Sequence, residues 1–189
     1  VVVGPGPMGI MGCQYAKVCG ARRVFLIGLK SDEKRLRIGK QMGADFTLYS
    51  EEHPEEAVME ATGGKGAEVV LECSASEKGV RHAIDCARKA YEGPGGKGVV
   101  VFISLWGQKL SINLDEISLG QLDIRGSWSW NGAETWAHAV DLLDREVFTL
   151  DPMITAHYEL ASWETAFANL RSKQDVKALI LPNGRDWVL

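Results

Sequence analysis

The sequence predicts an α/β protein built on a doubly wound parallel sheet. Short apolar runs rich in β-branched residues alternate along the chain with longer stretches of helical periodicity. Glycines stand where several of the predicted helices end. A G-x-G-x-x-G pattern joins the first apolar run to the first helix. The length of 189 residues and the hydrophobic content of 46% suit one such domain with an appendage.

Each predicted strand of the first half is a short apolar run, as expected of a strand buried on both faces of a parallel sheet. We predict these strands at 1–3, 24–27, 44–48, 68–72 and 99–103. We predict the helices between them at 10–20, 33–42, 54–62 and 77–90. Asp32 can cap the second helix, while Gly20, Gly43 and Gly63 end the first three. Short loops between alternating elements imply right-handed crossovers, and therefore parallel strands.

The pattern changes after residue 110. The segment from Leu110 to Leu114 alternates apolar and polar residues, which predicts an exposed edge strand. The remaining elements are predicted as a strand-like stretch at 124–130, a helix at 134–143, an extended segment at 153–160, a capped helix at 162–170 and a strand at 176–181. We therefore divide the chain into a domain of residues 1–127 and a C-terminal helix and strand segment of residues 128–189.

The glycine pattern gains meaning from its context, after a strand and at the start of a helix. Gly4 allows the tight turn out of the strand, and Gly6 lacks a Cβ, so that a pyrophosphate can approach the backbone. Gly9 lets the helix pack close to the sheet, and Pro7 and Met8 complete the loop. The first N–H groups of the helix would then face the phosphates of a dinucleotide. The alternative, a glycine-rich turn without a ligand, fits the repeated strand and helix pattern less well.

Composition argues against several classes of partner. The net charge of −4, without a basic stripe, argues against nucleic acid. No apolar run approaches the ~20 residues that cross a bilayer. The four cysteines form no C-x-x-C pair, so we expect reduced thiols in a cytoplasmic protein. A strand of about 5–6 residues normally begins earlier than Val1, so we expect the chain to be the later part of a longer protein.

Together these motifs resemble the cofactor-binding part of the medium-chain zinc-dependent dehydrogenases, especially the branch of sorbitol, polyol, butanediol and threonine dehydrogenases. The resemblance covers essentially the whole chain and rests on the order and spacing of its pieces. In chain order these are residues 4–9, 35–36, 43–45, 62–67, 72–74, 94–97, 124–126, 154–155 and 176–179. The resemblance implies a Rossmann fold that binds NAD(P), with a C-terminal segment that belongs to a catalytic domain preceding the glycine loop.

The resemblance also implies roles for particular residues. Cys73 and Ser74 would line the adenosine side of the groove, and Lys177 would reach the cofactor phosphates, unless it is a solvated lysine beside a strand. The segment from Leu110 to Leu114 matches the edge strand through which two such domains pair, so we expect a homodimer. Backbone groups that would hold the nicotinamide belong to Ile103, Ser104, Leu105, Ser127, Trp128 and Ser129.

The chain departs from the family pattern at the end of the second strand. The acidic residue that grips the ribose hydroxyls is expected there, and its position, 24 residues after Gly4, is Gly28. Loss of the carboxylate removes repulsion toward a 2′-phosphate, with which Lys30 or Arg35 can pair, so NADP is favoured over NAD. Two alternatives stay open: Asp32 folds back as the missing acid, or the two basic residues are ordinary surface charges.

In this family the zinc ligands and the proton relay come from the preceding domain. No cysteine or histidine of this chain matches a zinc-ligand motif, so we assign it no catalytic and no metal residue. The expected parent enzyme transfers a hydride between NAD(P) and a secondary alcohol or polyol, with zinc in the other domain. The chain alone is expected to bind cofactor without turnover. The alternative is a stand-alone dimeric module for nucleotide binding or redox sensing.

Three tryptophans follow strands that should end near the nicotinamide. Trp106, Trp128 and Trp130 are candidates for the wall of an apolar substrate pocket, with core or interface packing as the alternative. In the absence of a catalytic domain, the apolar faces of 162–170 and 176–181 should be exposed or meet another chain.

Overall fold

The computed structural model describes residues 1–92, 96–129 and 132–184. The chain forms two compact units, residues 1–148 and 149–189. The boundary drawn from the sequence, 127/128, lies earlier, because a further helix belongs to the first unit. On this helix, His138 Nε2 lies 3.3 Å from the hydroxyl of Tyr15.

Strands and helices alternate in both units. In chain order, the first unit contains β1 (Val2–Val3), α1 (Pro7–Val18), β2 (Phe25–Gly28), α2 (Glu33–Gln41), β3 (Phe46–Tyr49), α3 (Pro54–Ala61), β4 (Val69–Glu72), α4 (Glu77–Cys86), β5 (Val99–Phe102), α5 (Leu114–Gly120), β6 (Asp123–Gly126) and α6 (Ala133–Asp144). The second unit contains β7 (Ile154–Glu159), α7 (Trp163–Arg171) and β8 (Lys177–Leu181). Short 3-10 turns lie at Lys30–Asp32, Ala90–Glu92, Asp151–Met153 and Leu160–Ser162.

The sheet of the first unit has the strand order β3-β2-β1-β4-β5-β6. Every neighbouring pair is parallel. The chain moves outward from β1 through β2 to β3, then crosses back to β4 and moves outward in the other direction. The crevice between β1 and β4 is therefore the switch point, where ligands of such sheets bind. The predicted doubly wound parallel sheet is confirmed.

The core has two layers because successive strand residues point to opposite faces of the sheet. Phe25 and Ile27 of β2 belong to one buried cluster, which also holds side chains of α3 and α4. Leu26, between them in sequence, belongs to the other cluster, with Cys13 of α1 and Leu36 of α2. Continuous apolar runs thus reflect strands buried on both faces.

The segment from Leu110 to Leu114 is not a strand within the single chain, contrary to the prediction. Residues 110–113 are irregular, and α5 begins at Leu114. The Asn113 side chain caps this helix by accepting a hydrogen bond from Asp115 N at 3.1 Å. Leu110 and Ile112 pack against the core, so the alternation does mark a buried and an exposed face. A strand also requires a hydrogen-bonding neighbour, which the alternation alone does not provide.

Two predicted helix ends also differ. α1 begins at Pro7, not at residue 10, because the fixed φ of proline and its missing N–H suit the first helical position. α4 ends at Cys86, not at residue 90, because Ala87 leaves the helix and forms a bridge with Ala67. Lys89 then turns back, and its ammonium donates to the carbonyl of Asp85 at 3.0 Å.

The second unit is a small β-α-β element in which β7 and β8 pair in parallel. The buried Asp175 carboxylate accepts hydrogen bonds from the hydroxyls of Tyr158 at 2.7 Å and Thr155 at 3.2 Å. Ser162 occupies the N-cap position of α7 without the predicted side-chain capping bond. Trp163 and Phe167 on α7 are exposed, whereas most of β8 is half-buried. Across the described ranges, no helix combines the length and apolar character needed to span a membrane.

We predict that Leu26→Ala destabilises the first unit strongly and that Leu119→Ala does not. Leu26 is 0% exposed and lies in the central part of the sheet, so its truncation should lower the free energy of unfolding by about 2–5 kcal/mol. Leu119 is 70% exposed, and its truncation should change stability by less than about 0.5 kcal/mol. Urea unfolding followed by circular dichroism measures both. Similar losses in the two variants would contradict the assigned core.

Candidate functional site

The candidate site is the edge of the sheet at which the strands of the first unit end. Because the strands are parallel, the loops that follow β1, β2, β4, β5 and β6 all reach this edge. Backbone contacts hold neighbouring loops together. Ala75 N donates to Ser104 Oγ at 3.1 Å, and Ser127 N donates to the Phe102 carbonyl at 2.9 Å. The segments that follow β4, β5 and β6 are therefore held next to one another.

The three glycines of the first loop have different surroundings. Gly4 has a φ of +101°, and a Cβ there would lie 2.7 Å from the backbone N of Ser74. A Cβ on Gly9 would collide with the carbonyl oxygen of Gly4. A Cβ on Gly6 would meet no atom within 4 Å. Two glycines thus permit close backbone packing, and the middle one faces open space in which a ligand group fits.

The amino end of α1 supplies hydrogen-bond donors to this space. Gly6 is the N-cap, and Pro7, which has no N–H, is the first helical residue. The first hydrogen bond of the helix runs from Ile10 N to Gly6 O at 2.9 Å. The N–H groups of Met8 and Gly9 precede that bond, and the helix dipole there favours an anion. The arrangement fits the pyrophosphate of a dinucleotide.

A buried carboxylate holds the loop after β4. Glu72 is 0% exposed, and its Oε1 accepts hydrogen bonds from the Ser74 backbone N at 2.7 Å and the Ser74 hydroxyl at 2.5 Å. The Ser74 hydroxyl lies 3.0 Å from that of Ser76, which caps α4 by accepting from Gly79 N at 3.0 Å. Ala75, between the two serines, has a left-handed backbone with φ 52°. Ser74 is thereby fixed beside Gly4.

Cys73 presents a neutral thiol at this position. Burial, together with a smaller effect of the nearby Glu72 carboxylate, raises its pKa to about 12. A neutral, half-buried thiol is compatible with the wall of an apolar adenosine groove.

Apolar side chains are exposed where β5 and β6 end. Ile103 N donates to the Glu72 carbonyl at 3.0 Å, and Ser104 follows it. Leu105 is 70% exposed and Trp128 is 73% exposed. Ser129, next along the chain, has a left-handed φ of 57°. These surroundings fit the predicted nicotinamide side of the groove.

The tryptophans divide between the two roles considered. Trp106 packs against the core and meets Phe102 edge-on, with ring centroids 6.2 Å apart. Trp128 is largely exposed, so it stays the candidate for a pocket wall. Trp130 lies outside the described residues, as do residues 94 and 95 of the motif at 94–97.

The end of β2 is crowded at the position where the family pattern expects an acid. A Cβ on Gly28 would lie 2.7 Å from Pro5 Cγ and 3.0 Å from Leu36 Cδ2, so a longer side chain requires these neighbours to move. Asp32 does fold back, but its Oδ2 accepts from Leu29 N at 3.1 Å and the residue is buried. Its carboxylate therefore supports the turn.

Lys30 and Arg35, the two basic residues predicted to pair with a 2′-phosphate, lie in different surroundings near the end of β2. Lys30 is exposed and forms an ion pair with Glu52, with Nζ 2.6 Å from Oε1. The adjacent carboxylate of Glu52 holds the pKa of Lys30 above its ordinary value. Arg35, on the first turns of α2, is only half-exposed.

Two glutamates that the sequence did not predict for this site, Glu51 and Glu52, also lie near the end of β2. They follow β3, which pairs with β2 in parallel so that Gly28 lies opposite Tyr49. Ser50 N donates to the Gly28 carbonyl at 2.7 Å, and the next two residues reach Lys30. The signal was present in the predicted doubly wound sheet, because the end of β3 in such a sheet lies beside the end of β2.

The comparisons with known proteins agree with this geometry. The family model described as "Zinc-binding dehydrogenase" matches residues 7–145. The chain belongs to the zinc-binding dehydrogenase family. It is 33% identical over 184 residues to a sorbitol dehydrogenase of Halalkalibacterium halodurans, covering 96% of this chain and 51% of that protein.

Solved structures show the same fold. The 2R,3R-butanediol dehydrogenase of Bacillus subtilis superimposes with a TM-score of 0.82 at 23% identity, covering 96% of this chain and 50% of that one. A Sinorhizobium meliloti structure described as a zinc-binding dehydrogenase bound to NADP gives 0.81 at 24% identity, with coverages of 96% and 51%. The chain thus spans about half the length of the relatives it matches. The resemblance inferred from sequence is confirmed.

Two further family expectations concern Lys177 and metal binding. Lys177 is the first residue of β8 in the second unit and is exposed, so its role toward cofactor phosphates stays a prediction. Within residues 1–92, 96–129 and 132–184, no group of three or more histidine, cysteine, aspartate or glutamate side chains is placed to hold a metal ion.

We predict that Gly4→Ala and Gly6→Ala affect folding differently. Gly4→Ala should lower the free energy of unfolding by about 2 kcal/mol or more, because the left-handed backbone disfavours a Cβ that would also contact Ser74. Gly6→Ala should change it by less than about 1 kcal/mol, since the Cβ enters open space. Thermal unfolding compares the two variants. An equal loss in both would show that the loop is packed differently.

We also predict that one cysteine dominates alkylation of the folded chain. All four cysteines are free, and only Cys19 is exposed. Burial raises the pKa values of Cys13, Cys73 and Cys86 to about 12, so at pH 8 about one of these thiols in ten thousand is ionised. Mass spectrometry after brief iodoacetamide treatment should find one modification, and Cys19→Ser should abolish it. Rapid modification of Cys73 would contradict its assigned environment.

Proposed function

We propose that the chain is the cofactor-binding half of an enzyme that transfers a hydride between NAD(P) and a secondary alcohol or polyol. The observation that carries this proposal is the glycine loop. Gly6 faces open space before the amino end of α1, while Gly4 and Gly9 pack against backbone. This combination accepts a pyrophosphate at a helix terminus. Membership of the zinc-binding dehydrogenase family supports the assignment.

The chain's own residues would bind and orient the dinucleotide. Donors at Met8 and Gly9 face the pyrophosphate, and the wall at Cys73 and Ser74 faces the adenosine. Residues 103–105 and 127–129 lie where the nicotinamide would be placed, and Lys177 would contribute a phosphate contact. A nicotinamide held there would supply the hydride-transfer chemistry, and zinc held by the other half of the enzyme would polarise the substrate oxygen.

We favour NADP as the tighter-binding cofactor. Gly28 provides no carboxylate to repel a 2′-phosphate, and the exposed Lys30 lies two residues farther along the same loop. Its ion pair with Glu52 is solvent-exposed, and such pairs are weak enough for a phosphate to replace the carboxylate. The similar Sinorhizobium meliloti structure is bound to NADP, which is compatible with this preference.

We further propose a homodimer and a cytoplasmic location. The irregular segment 110–113 presents an extended backbone at Asn113 beside core-packed Leu110 and Ile112, so a second copy can supply its strand partner. Four free cysteines fit a reducing compartment.

The first experiment is calorimetric titration of the 189-residue chain with NADP and with NAD. We expect binding of both, with tighter binding of NADP. Lys30→Ala should weaken NADP binding about tenfold, because a charge-assisted contact to the phosphate is lost, and should change NAD binding by less than about twofold. Lys40→Ala is the matched control, since Lys40 is an exposed lysine at the opposite end of α2.

The proposal fails if the unchanged chain binds neither dinucleotide. Equal effects of Lys30→Ala on NADP and NAD would instead contradict the assigned 2′-phosphate contact while leaving cofactor binding in place. Turnover of an alcohol by the chain alone would contradict its assignment as the cofactor-binding half.

A further inference from the structure

A carboxylate lies beside the end of β2 although β2 itself carries none. The parallel register places Gly28 opposite Tyr49, and Ser50 N donates to the Gly28 carbonyl at 2.7 Å. The residues after β3 therefore run alongside the loop that leaves β2. Glu51 is the next residue of that segment, and it is exposed.

The Glu51 carboxylate lies over the loop after Gly28. Both of its oxygens are 3.3 Å from the backbone N of Lys30. An acid at the end of β2 accepts hydrogen bonds from the ribose hydroxyls of an adenosine in such folds, and Lys30, whose N the Glu51 carboxylate contacts, lies two residues after that strand end. A carboxylate that reaches the region from β3 offers the same pair of acceptor oxygens.

A buried hydrogen-bond network fixes the backbone from which Glu51 projects. Ser50 is buried, and its hydroxyl lies 2.9 Å from His82 Nε2 on α4. The same nitrogen lies 3.1 Å from the Ser50 carbonyl oxygen, which accepts a hydrogen bond from the Nε2–H tautomer. His82 Nδ1 faces Glu55 Oε2 of α3 at 3.3 Å. Glu51 therefore starts from a backbone anchored to α4, which lowers the entropy cost of placing its carboxylate.

The two glutamates of this segment have different partners. Glu52 forms an ion pair with the Lys30 ammonium at 2.6 Å. Glu51 directs its negatively charged carboxylate at the Lys30 backbone N. That charge attracts hydroxyl donors and repels a phosphate at the 2′ position.

We propose that Glu51 is the specificity-determining carboxylate for the adenosine ribose, supplied from β3 in place of the acid that β2 lacks. Lys30 then favours a 2′-phosphate, while Glu51 hydrogen-bonds a free 2′-hydroxyl. The same part of the site can therefore bind either NADP or NAD. The inference rests on the proposed cofactor-binding function and adds the residue that sets the ratio between the two dinucleotides.

The test is calorimetric titration of the 189-residue chain with NAD and NADP at low ionic strength, comparing the unchanged chain with Glu51→Gln. Neutralising the charged acceptor should weaken NAD binding about tenfold. NADP binding should strengthen, because a repulsive charge is removed. The ratio of NADP affinity to NAD affinity therefore rises at least about tenfold. Thermal unfolding should be unchanged, since Glu51 is exposed.

Two further variants separate a specific contact from a general change in charge. Glu52→Gln releases Lys30 and should strengthen NADP binding while leaving NAD binding within about twofold. Glu60→Gln makes the same charge change at the far end of α3. This end of the helix lies near the beginning of β2, because the carbonyl of Ala61 accepts a hydrogen bond from Arg23, which precedes β2. Glu60→Gln should alter neither affinity.

The outcomes distinguish this inference from the proposed function. If Glu51→Gln leaves NAD binding within twofold of the unchanged chain, the inference is overturned and cofactor binding stands. If Glu51→Gln and Glu52→Gln weaken NAD binding equally, the effect is one of charge alone, and the inference is again overturned. If the unchanged chain binds neither dinucleotide, both proposals are overturned together.

Discussion

The close approach of Gly4 to the backbone after β4 is the contact on which the candidate site depends. It brings the glycine loop against the segment of Ser74 at the switch point of the sheet. A side chain at residue 4 would separate the two loops and widen the crevice between β1 and β4. Glu72 reinforces the contact from below, because its buried carboxylate binds both the backbone N and the hydroxyl of Ser74. The open space before Gly6 is thus bounded by rigid backbone.

Charge is used in two ways along the same edge. Glu72 is buried, and its Oε1 binds the neighbouring loop, while Asp32 supports a turn. Lys30, Glu51 and Glu52 are exposed and make contacts that a ligand can replace. Buried charges are costly to leave without partners, so they are fixed into structure, whereas exposed ones are available for recognition. Substitution of these exposed residues at the ends of β2 and β3 should therefore change ligand recognition without disturbing the fold.

Several large apolar side chains are exposed on the helices that follow the sheet. Trp136 and Val140 lie one helical turn apart on α6, and Trp163 and Phe167 are spaced in the same way on α7. Stripes of this kind are typical of surfaces that other protein covers. The curated relatives are about twice as long as this chain.

The sequence by itself determined the order and type of most elements, because buried strands and glycine-terminated helices are encoded in local patterns. It also located the loop from Gly4 to Gly9 and placed Gly28, which carries no carboxylate, at the end of the second strand. Tertiary structure decided what local pattern cannot: residues 110–113 are no strand in a single chain, since a strand needs a neighbour to accept its hydrogen bonds. Likewise, Glu51 stands 23 residues from Gly28 in sequence, and only the pairing of β2 with β3 places its carboxylate beside Lys30.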